Sequence, residues 1–548
     1  MTLTALAQLT LIIALAGGAP QQHDHAAAAD DRPVTLVEGM AGVHHAIQTR
    51  SQDAQKFFDQ GLAFVYAFNH EEAVRSFRRA AELDPSSPMP WWGIALALGP
   101  NINQDIDPDR EKAAYDAVQQ ALKRAGSAPA GEKAYVAALV KRYSNQPQAD
   151  VKALAVDYKD AMRAVMRMYP DDPDAATLYA ESLMDLHPWQ LYSNDGSPGE
   201  GTPEIVDVLE GVLRRHPDHV GANHYYIHAT EASLAPERAL ASARRLETLV
   251  PAAGHLVHMP AHTYMRTGNY AGAVTANAKA ADVDRRYIAE THADGFYPTT
   301  YYNHNLDFLA SAAMMTGQFS EAARAADELV NNVQPAIAAM PMLEGFGAKK
   351  LYVLLRFAKW SDVLELPAPA PGAALLTTLY HFGRGVAHAK LGAAGDAAAD
   401  RDAFRLVRSR VPADAMAGLN PASAILAVAE AVLDARIAAA NGDMPVALAA
   451  WQKAVAAEDA VAYDEPADWF YPTRESLGIA YLQAGRPDDA RRTFREDLER
   501  NPQNPRSTFG LWQAYRTTEP NSPMTQILRL RFTTAWADAD VELNLADF

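Results

Sequence analysis

AQKFFDQGLAFVYAFNHEEAVRSFRRAAELDPSS, residues 54–87, decides how this chain is read. Apolar residues recur at helical spacing, pause at Asn69, and resume. That pattern predicts two amphipathic helices joined by a short turn, with Pro85 stopping the second. Small residues stand at Gly61, Ala73 and Ala80, and a large aromatic at Phe77. The small residues let the two helices approach closely, and the aromatic fills the gap to the next unit. One such hairpin cannot bury its apolar face alone, so copies must stack.

Copies are present. Residues 471–504, YPTRESLGIAYLQAGRPDDARRTFREDLERNPQN, put Gly478, Tyr481, Gly485, Ala490, Phe494 and Pro502 in matching slots. Weaker copies end at Pro170 and Pro217, and others lie at 220–253, 254–287, near 303–336 and near 428–461. These residues, at a period of about 34, resemble the tetratricopeptide repeat family over most of residues 54–520. The resemblance implies an all-α fold, a right-handed superhelical solenoid of stacked antiparallel helix pairs. It also implies that the first helix of each pair lines a concave groove, with positions two, five, nine and twelve pointing into it.

The copies are not uniform. HPWQLYSNDGSPGEGTP at 187–203 inserts a polar loop, and YIAETHADGFYPTTYY at 287–302 is an aromatic-rich connection. LPAPAPGAA at 366–374 reads as a Pro/Ala linker. It divides an N-terminal array, 33–365, from a C-terminal array, 375–548, whose last stretch supplies closing helices. Residues 1–32 read as a signal peptide and flexible tail: Leu3 to Ala16 is an apolar run of the right length, followed by small residues. No basic residue precedes Arg32. The expected location is therefore exported, periplasmic or extracellular.

Composition narrows the chemistry. The 548 residues exceed one compact core, and 49% hydrophobic content marks a folded chain. A formal charge of −18 argues against nucleic acid or an anionic membrane as partner. No later apolar run is long enough for a membrane span. The chain has no cysteine, which excludes disulfides, thiolate metal sites and cysteine nucleophiles. A tight metal site must therefore use His, Asp and Glu. Walker, dinucleotide, serine-elbow and HExxH motifs are all absent.

ANHYYIHATE, residues 222–231, spaces His224, His228 and Glu231 along one helical stripe. GHLVHMPAH follows at 254–262 with His255, His258 and His262. Under the repeat register these residues, with Glu181 before them and His304 after them, face one stretch of groove. Residues 187–304 hold ten of the 17 histidines, against about four for an even spread. The metal candidates are thus His224, His228, His255, His258, His262 and His304, and Glu231 and Glu181 are the candidate ligands or general bases. Converging imidazoles and carboxylates suit a transition metal ion: Cu, Zn, Fe or Mn. Pro260 breaks the helical hydrogen-bond ladder between His258 and His262, and either removes His255 and His258 from the helix or aims them by a kink.

Several neighbours have blander readings. Asp185 to Trp189 reads as a loop anchor or lid, and nearby tyrosines as inter-repeat packing. Asp464, Glu465 and Asp468 in DEPADWFYP read as acidic capping of the helix from about 472. His23/His25 and His44/His45 read as parts of a flexible tail. Three functions follow: a metal-dependent hydrolase or oxidoreductase, a non-catalytic envelope metal-binding protein, or a scaffold holding a protein or peptide ligand in the groove.

Overall fold

The computed structural model describes residues 33–548. Residues 1–32, with the apolar run read as a signal peptide and His23/His25, lie outside the described residues.

From Gln52 onward, helices pack in successive antiparallel pairs. Gln52–Tyr66 pairs with His70–Leu83, Pro173–Met184 with Thr202–Arg215, and Val220–Glu231 with Leu240–Leu249. The series runs on through Phe296–Thr316 with Phe319–Val333, and ends with Pro505–Thr518 and Pro523–Ala535. The protein is an all-α helical-repeat solenoid. The only named strands among the described residues are Met416–Ala417 and Asn420–Pro421, an antiparallel ladder with Met416 opposite Pro421.

Local chemistry sets each pair. Ser51 accepts from the Ala54 N–H, Asn69 from Glu72 and Asp172 from Ala175, so side chains satisfy otherwise orphaned first-turn donors. The Phe77 ring is clamped between Gly61 of its own pair and Gly93 of the next. A Cβ on either glycine would stand 2.6 or 2.5 Å from that ring. Phe494 repeats the device between Gly478 and Gly510, at 2.4 and 2.2 Å. The residues that gave the repeat its sequence signature are therefore its packing contacts.

One apolar cluster runs from Met40 to Ala312 and a second from Ala348 to Phe548. The second includes Leu355 and Val363 before residues 366–374, and Leu375 and Phe382 after them. The far end of the chain also touches the middle. The Tyr270 hydroxyl donates to the Pro502 carbonyl at 3.1 Å, and Gln503 Nε2 to the Thr267 carbonyl at 3.2 Å. Asn194, in the inserted loop, donates to the Val461 carbonyl at 3.2 Å. These contacts bring the 460–472 loop to the helices that carry the histidines.

His44 and His45 are not parts of a flexible tail. His44 Nδ1 lies 2.7 Å from Asp59 Oδ2, and His45 Nδ1 lies 2.7 Å from Asp174 Oδ2. Asp174 also accepts from the Tyr66 hydroxyl and sits 3.0 Å from His219 Nε2. Burial works against its charge, yet bonds from His219 and His45 hold its carboxyl far below the usual range. This hub pins residues 44–45 across the helix Gln52–Tyr66 and the helix Pro173–Met184.

Candidate metal centre

Three consecutive repeats build the site. The helix Val220–Glu231 presents His224, His228 and Glu231, all buried. In the next repeat Pro260 splits the first helix into Gly254–His258 and Pro260–Thr267. Met259 between them keeps right-handed helical angles, φ −50° and ψ −34°, so the split is a kink. All three histidines are helical: His255 and His258 on the first piece, His262 on the second. The helix Phe296–Thr316 adds His304.

The six imidazoles form two triads. His224, His228 and His255 each bring a ring nitrogen within 4.8 Å of the others, and so do His258, His262 and His304. In the first triad His224 Nε2 lies 3.1 Å from His228 Nε2 and 3.2 Å from His255 Nε2. In the second, His258 Nε2 lies 2.8 Å from His262 Nε2.

The opposite ring nitrogens fix the tautomers. His224 Nδ1 lies 2.7 Å from the Tyr66 carbonyl, which can only accept. His228 Nδ1 lies 2.8 Å from Glu231 Oε1, and His262 Nδ1 bonds to Glu231 Oε2. His258 Nδ1 lies 2.6 Å from Asn277 Oδ1, and that amide is oriented because its Nδ2 donates to the Ala273 carbonyl. Each of these four Nδ1 atoms therefore carries a proton, and in the neutral ring Nε2 is then a bare lone pair. Neutral His224 and His228 would point lone pairs at each other, as would His258 and His262. Between neutral rings such an arrangement is repulsive unless a proton or a metal cation lies between them. Ligands at tetrahedral metal–nitrogen distances of about 2.0–2.1 Å stand about 3.3 Å apart, close to the separations here.

The electrostatics agree. Burial, followed by neighbouring imidazoles, pushes His224, His255 and His258 well below the ordinary histidine value, and burial lowers His262. His304 is lowered to about 3, chiefly by burial. Neutral imidazole is the form that binds metals. Against burial, the charges and hydrogen bonds of His262 and His228 hold Glu231 far below the usual carboxylate range, so it accepts from both rings as an anion. Aromatic rings brace the imidazoles. Phe68 is 4.6 Å from His224 and 5.4 Å from His255, and Phe308 is 4.7 and 4.6 Å from His258 and His262.

A cavity of about 270 Å³ opens on both triads, lined by His228, His255, His262 and His304. Trp189, Phe296, Tyr301 and Tyr352 contribute to its mostly apolar wall. The side chain of Trp189 meets the His228 ring edge-on at 5.8 Å, while Asp185, at the loop's root, accepts from Arg142 at 2.6 Å. The 187–203 insertion thus begins next to a buried ion pair and places Trp189 against the site. Asp464, Glu465 and Asp468 line the cavity too. They do not cap the following helix, whose N-terminal Pro472 makes no side-chain cap. Instead Asp464 accepts from the Leu419 N–H at 2.9 Å and Asp468 from Asn420 Nδ2 at 2.7 Å.

The structure brings together His224, His228, His255, His258, His262, His304 and Glu231. It places Glu181 elsewhere, with Arg142 Nη2 at 3.8 Å and with Asp185. The repeat register put Glu181 in the groove, but the buried arginine holds it. Sequence reasoning missed Asn277, the Tyr66 carbonyl and the acidic loop's place. Asn277 left one trace, a polar residue on an alanine-rich helix. The other two depend on chain contacts more than a hundred residues apart.

No protein-family model matches the chain, and no curated protein sequence matches it. Among solved structures it is similar to the human IFIT1 dimer with PPP-AAAA, at 15% identity, covering 90% of this chain and 92% of that one, with a TM-score of 0.31. It is similar to yeast Tom70 at 12% identity, covering 89% and 92%, with a TM-score of 0.28. The P58(IPK) TPR domain gives 11% identity, 86% and 99% coverage, and a TM-score of 0.19. At these values the likeness is one of helical architecture alone. Among the described residues, no helix is long and apolar enough to cross a membrane.

Proposed function

We propose that this protein is a metal-dependent oxidoreductase whose centre is two adjacent three-histidine sites. The carrying observation is the pair of close Nε2–Nε2 approaches, His224 with His228 and His258 with His262, each ring held by an Nδ1–H tied to an acceptor. Three protein ligands leave a coordination position for a small molecule, and the cavity opens on that side. The donor set is all imidazole, which suits copper, zinc or iron and suits manganese less. Copper binds most tightly along the divalent series and supplies one-electron chemistry, so we place it first.

The protein's own part is orientation. Glu231, Asn277 and the Tyr66 carbonyl hold the rings, and second partners of this kind set both direction and basicity. Helical-repeat arrays serve widely as scaffolds for extended ligands. Here the space over the histidines is of small-molecule size, which favours chemistry over peptide capture. Export, expected from the leader, belongs to the same proposal.

The test is metal content. Protein loaded with Cu(II) or Zn(II) and then desalted should retain about two ions per chain. His224→Ala with His228→Ala should leave about one, and adding His258→Ala with His262→Ala should leave none. Retention below about 0.2 ion per chain by the unaltered protein would sink the proposal. Two zinc ions retained in preference to copper would move the assignment to a hydrolase.

A further inference from the structure

Opposite the imidazoles stands a carboxyl from the far end of the chain. Glu465 is 8% exposed and lines the same cavity as His228, His255, His262 and His304. Its Oε1 accepts from the Tyr463 hydroxyl at 2.7 Å, while Oε2 makes no hydrogen bond among the described residues. The side chains charged or titratable around it are Arg266, Glu231 and Tyr463, with Asp464 and Asp468 on its own loop. None of them gives it a salt bridge. Arg266 is turned away, its Nε donating to the Glu231 carbonyl at 2.9 Å and its guanidinium lying 5.3 Å over the Tyr463 ring. A carboxyl oxygen without a protein partner, carried by a buried side chain on the wall of a ligand-sized cavity, is placed to bond a ligand hydroxyl.

The cavity says what that ligand is. About 270 Å³ exceeds the roughly 150 Å³ that holds benzene, so a substituted ring fits. The rings of Trp189, Phe296, Tyr301 and Tyr352 give the wall aromatic faces. Its cation, Lys349, is already committed to Asp307 at 2.5 Å and to Ser311 Oγ at 3.0 Å. Polar atoms on the wall with no protein partner include the acceptors Glu465 Oε2 and Asn103 Oδ1, beside the hydroxyls of Tyr301 and Tyr352, so a ligand hydroxyl, which both donates and accepts, is matched there.

We propose that Glu465 is the proton-transfer residue of this site and that its ligand is a small hydroxyl-bearing aromatic. The step is a single proton transfer. The ligand's O–H bond breaks, its electron pair stays on oxygen, and the proton forms an O–H bond on Glu465 Oε2. The resulting oxyanion faces the imidazole wall. Burial, with the nearby Glu231 charge and against the pull of Arg266, raises Glu465 to about 8. That narrows the gap to a phenol of pKa about 10, and Glu465 can take the proton once its carboxylate forms, from about pH 8 upward. The role rests on the metal-site reading for its place beside that site.

The experiment uses the full chain loaded with copper, with 4-methylphenol, neutral in free solution at pH 8, and its methyl ether 4-methylanisole as probes. The phenol should bind at least tenfold tighter than the ether at pH 8, and absorbance should show it bound as the anion. Glu465→Gln keeps the Tyr463 bond through its amide oxygen. It should retain the same copper content and melting temperature while losing most of that tenfold preference. Unchanged copper with an unchanged preference in Glu465→Gln overturns the proton-transfer role alone. Loss of copper or of melting temperature in Glu465→Gln makes the residue structural and overturns it too. Failure of the unaltered chain to hold metal overturns the metal reading, and this inference with it.

Discussion

His228 and His262, from different repeats and different triads, donate their Nδ1 protons to the two oxygens of one carboxylate, that of Glu231. One side chain thereby sets the tautomer of a histidine in each half of the centre.

Glu231→Gln separates the halves. A glutamine offers one acceptor and one donor, so it satisfies only one of the two imidazole N–H groups. The other ring loses its orienting partner. We expect one metal to stay at full affinity and the other to weaken by about 10–100-fold, read by chelator competition. Two unaffected metals would show that the carboxylate does not orient the ligands.

Asn277→Leu addresses the second triad alone. It strands the His258 Nδ1 proton in a buried site, at a cost of about 1–3 kcal/mol. Thermal unfolding should shift downward, and metal loss should be confined to the His258, His262 and His304 site. Equal loss from both sites would contradict the division into triads.

Glycine substitutions test the repeat packing. Gly61→Ala and Gly478→Ala press a methyl into the Phe77 and Phe494 rings, so each should cost about 1–3 kcal/mol. Gly211, within the helix Thr202–Arg215, meets only the Arg214 side chain at 3.7 Å. There alanine should gain up to about 1 kcal/mol from helix propensity. Urea unfolding of the three variants gives the signs directly.

Asp284 supplies a pH signature. It is buried, accepts from the Tyr297 hydroxyl at 2.9 Å and Asn305 Nδ2 at 2.7 Å, and is raised by burial to about 7. Tyr297 in turn accepts from the His255 N–H at 3.1 Å. Between about pH 4 and 7 the folded chain holds a proton that the unfolded chain has released, so this group lowers stability as pH rises. Asp284→Asn removes that slope, and Asn305 can turn its unpartnered Oδ1 toward the new amide. The variant should gain on the parent by up to about 1.4 kcal/mol per pH unit across that window. A difference that stays flat from pH 5 to pH 8 would mean the carboxyl titrates normally.

Much of this was legible in the sequence, for a physical reason. Gly61, Phe77, Gly478 and Phe494 recur because the same packing contact recurs, so the period shows through one chain. His224, His228 and Glu231 were legible because helical spacing fixes which side chains share a stripe. At Pro260 the sequence left open a kink or the loss of His255 and His258 from the helix; the structure has the kink, and His258 and His262 on either side of it share one triad. Glu465 and Glu181 were misread because their surroundings come from distant segments. Arg142 claims Glu181, and the contacts of Thr267 and Tyr270 with residues 502–503 help carry Glu465 to the cavity. Local pattern carries no information about such closures.

The cavity's two walls bear on how this protein can evolve. Repeat arrays readily gain and lose units, because each unit meets only its neighbours. Here the imidazoles end at His304 and the acidic loop begins at Asp464, and the helix pairs between them both line the cavity and set the spacing across it. Adding or deleting one pair would carry the acidic loop away from the histidines. Repeat number between those points is therefore fixed by the distance across one small chamber, and length variation is confined to units outside it.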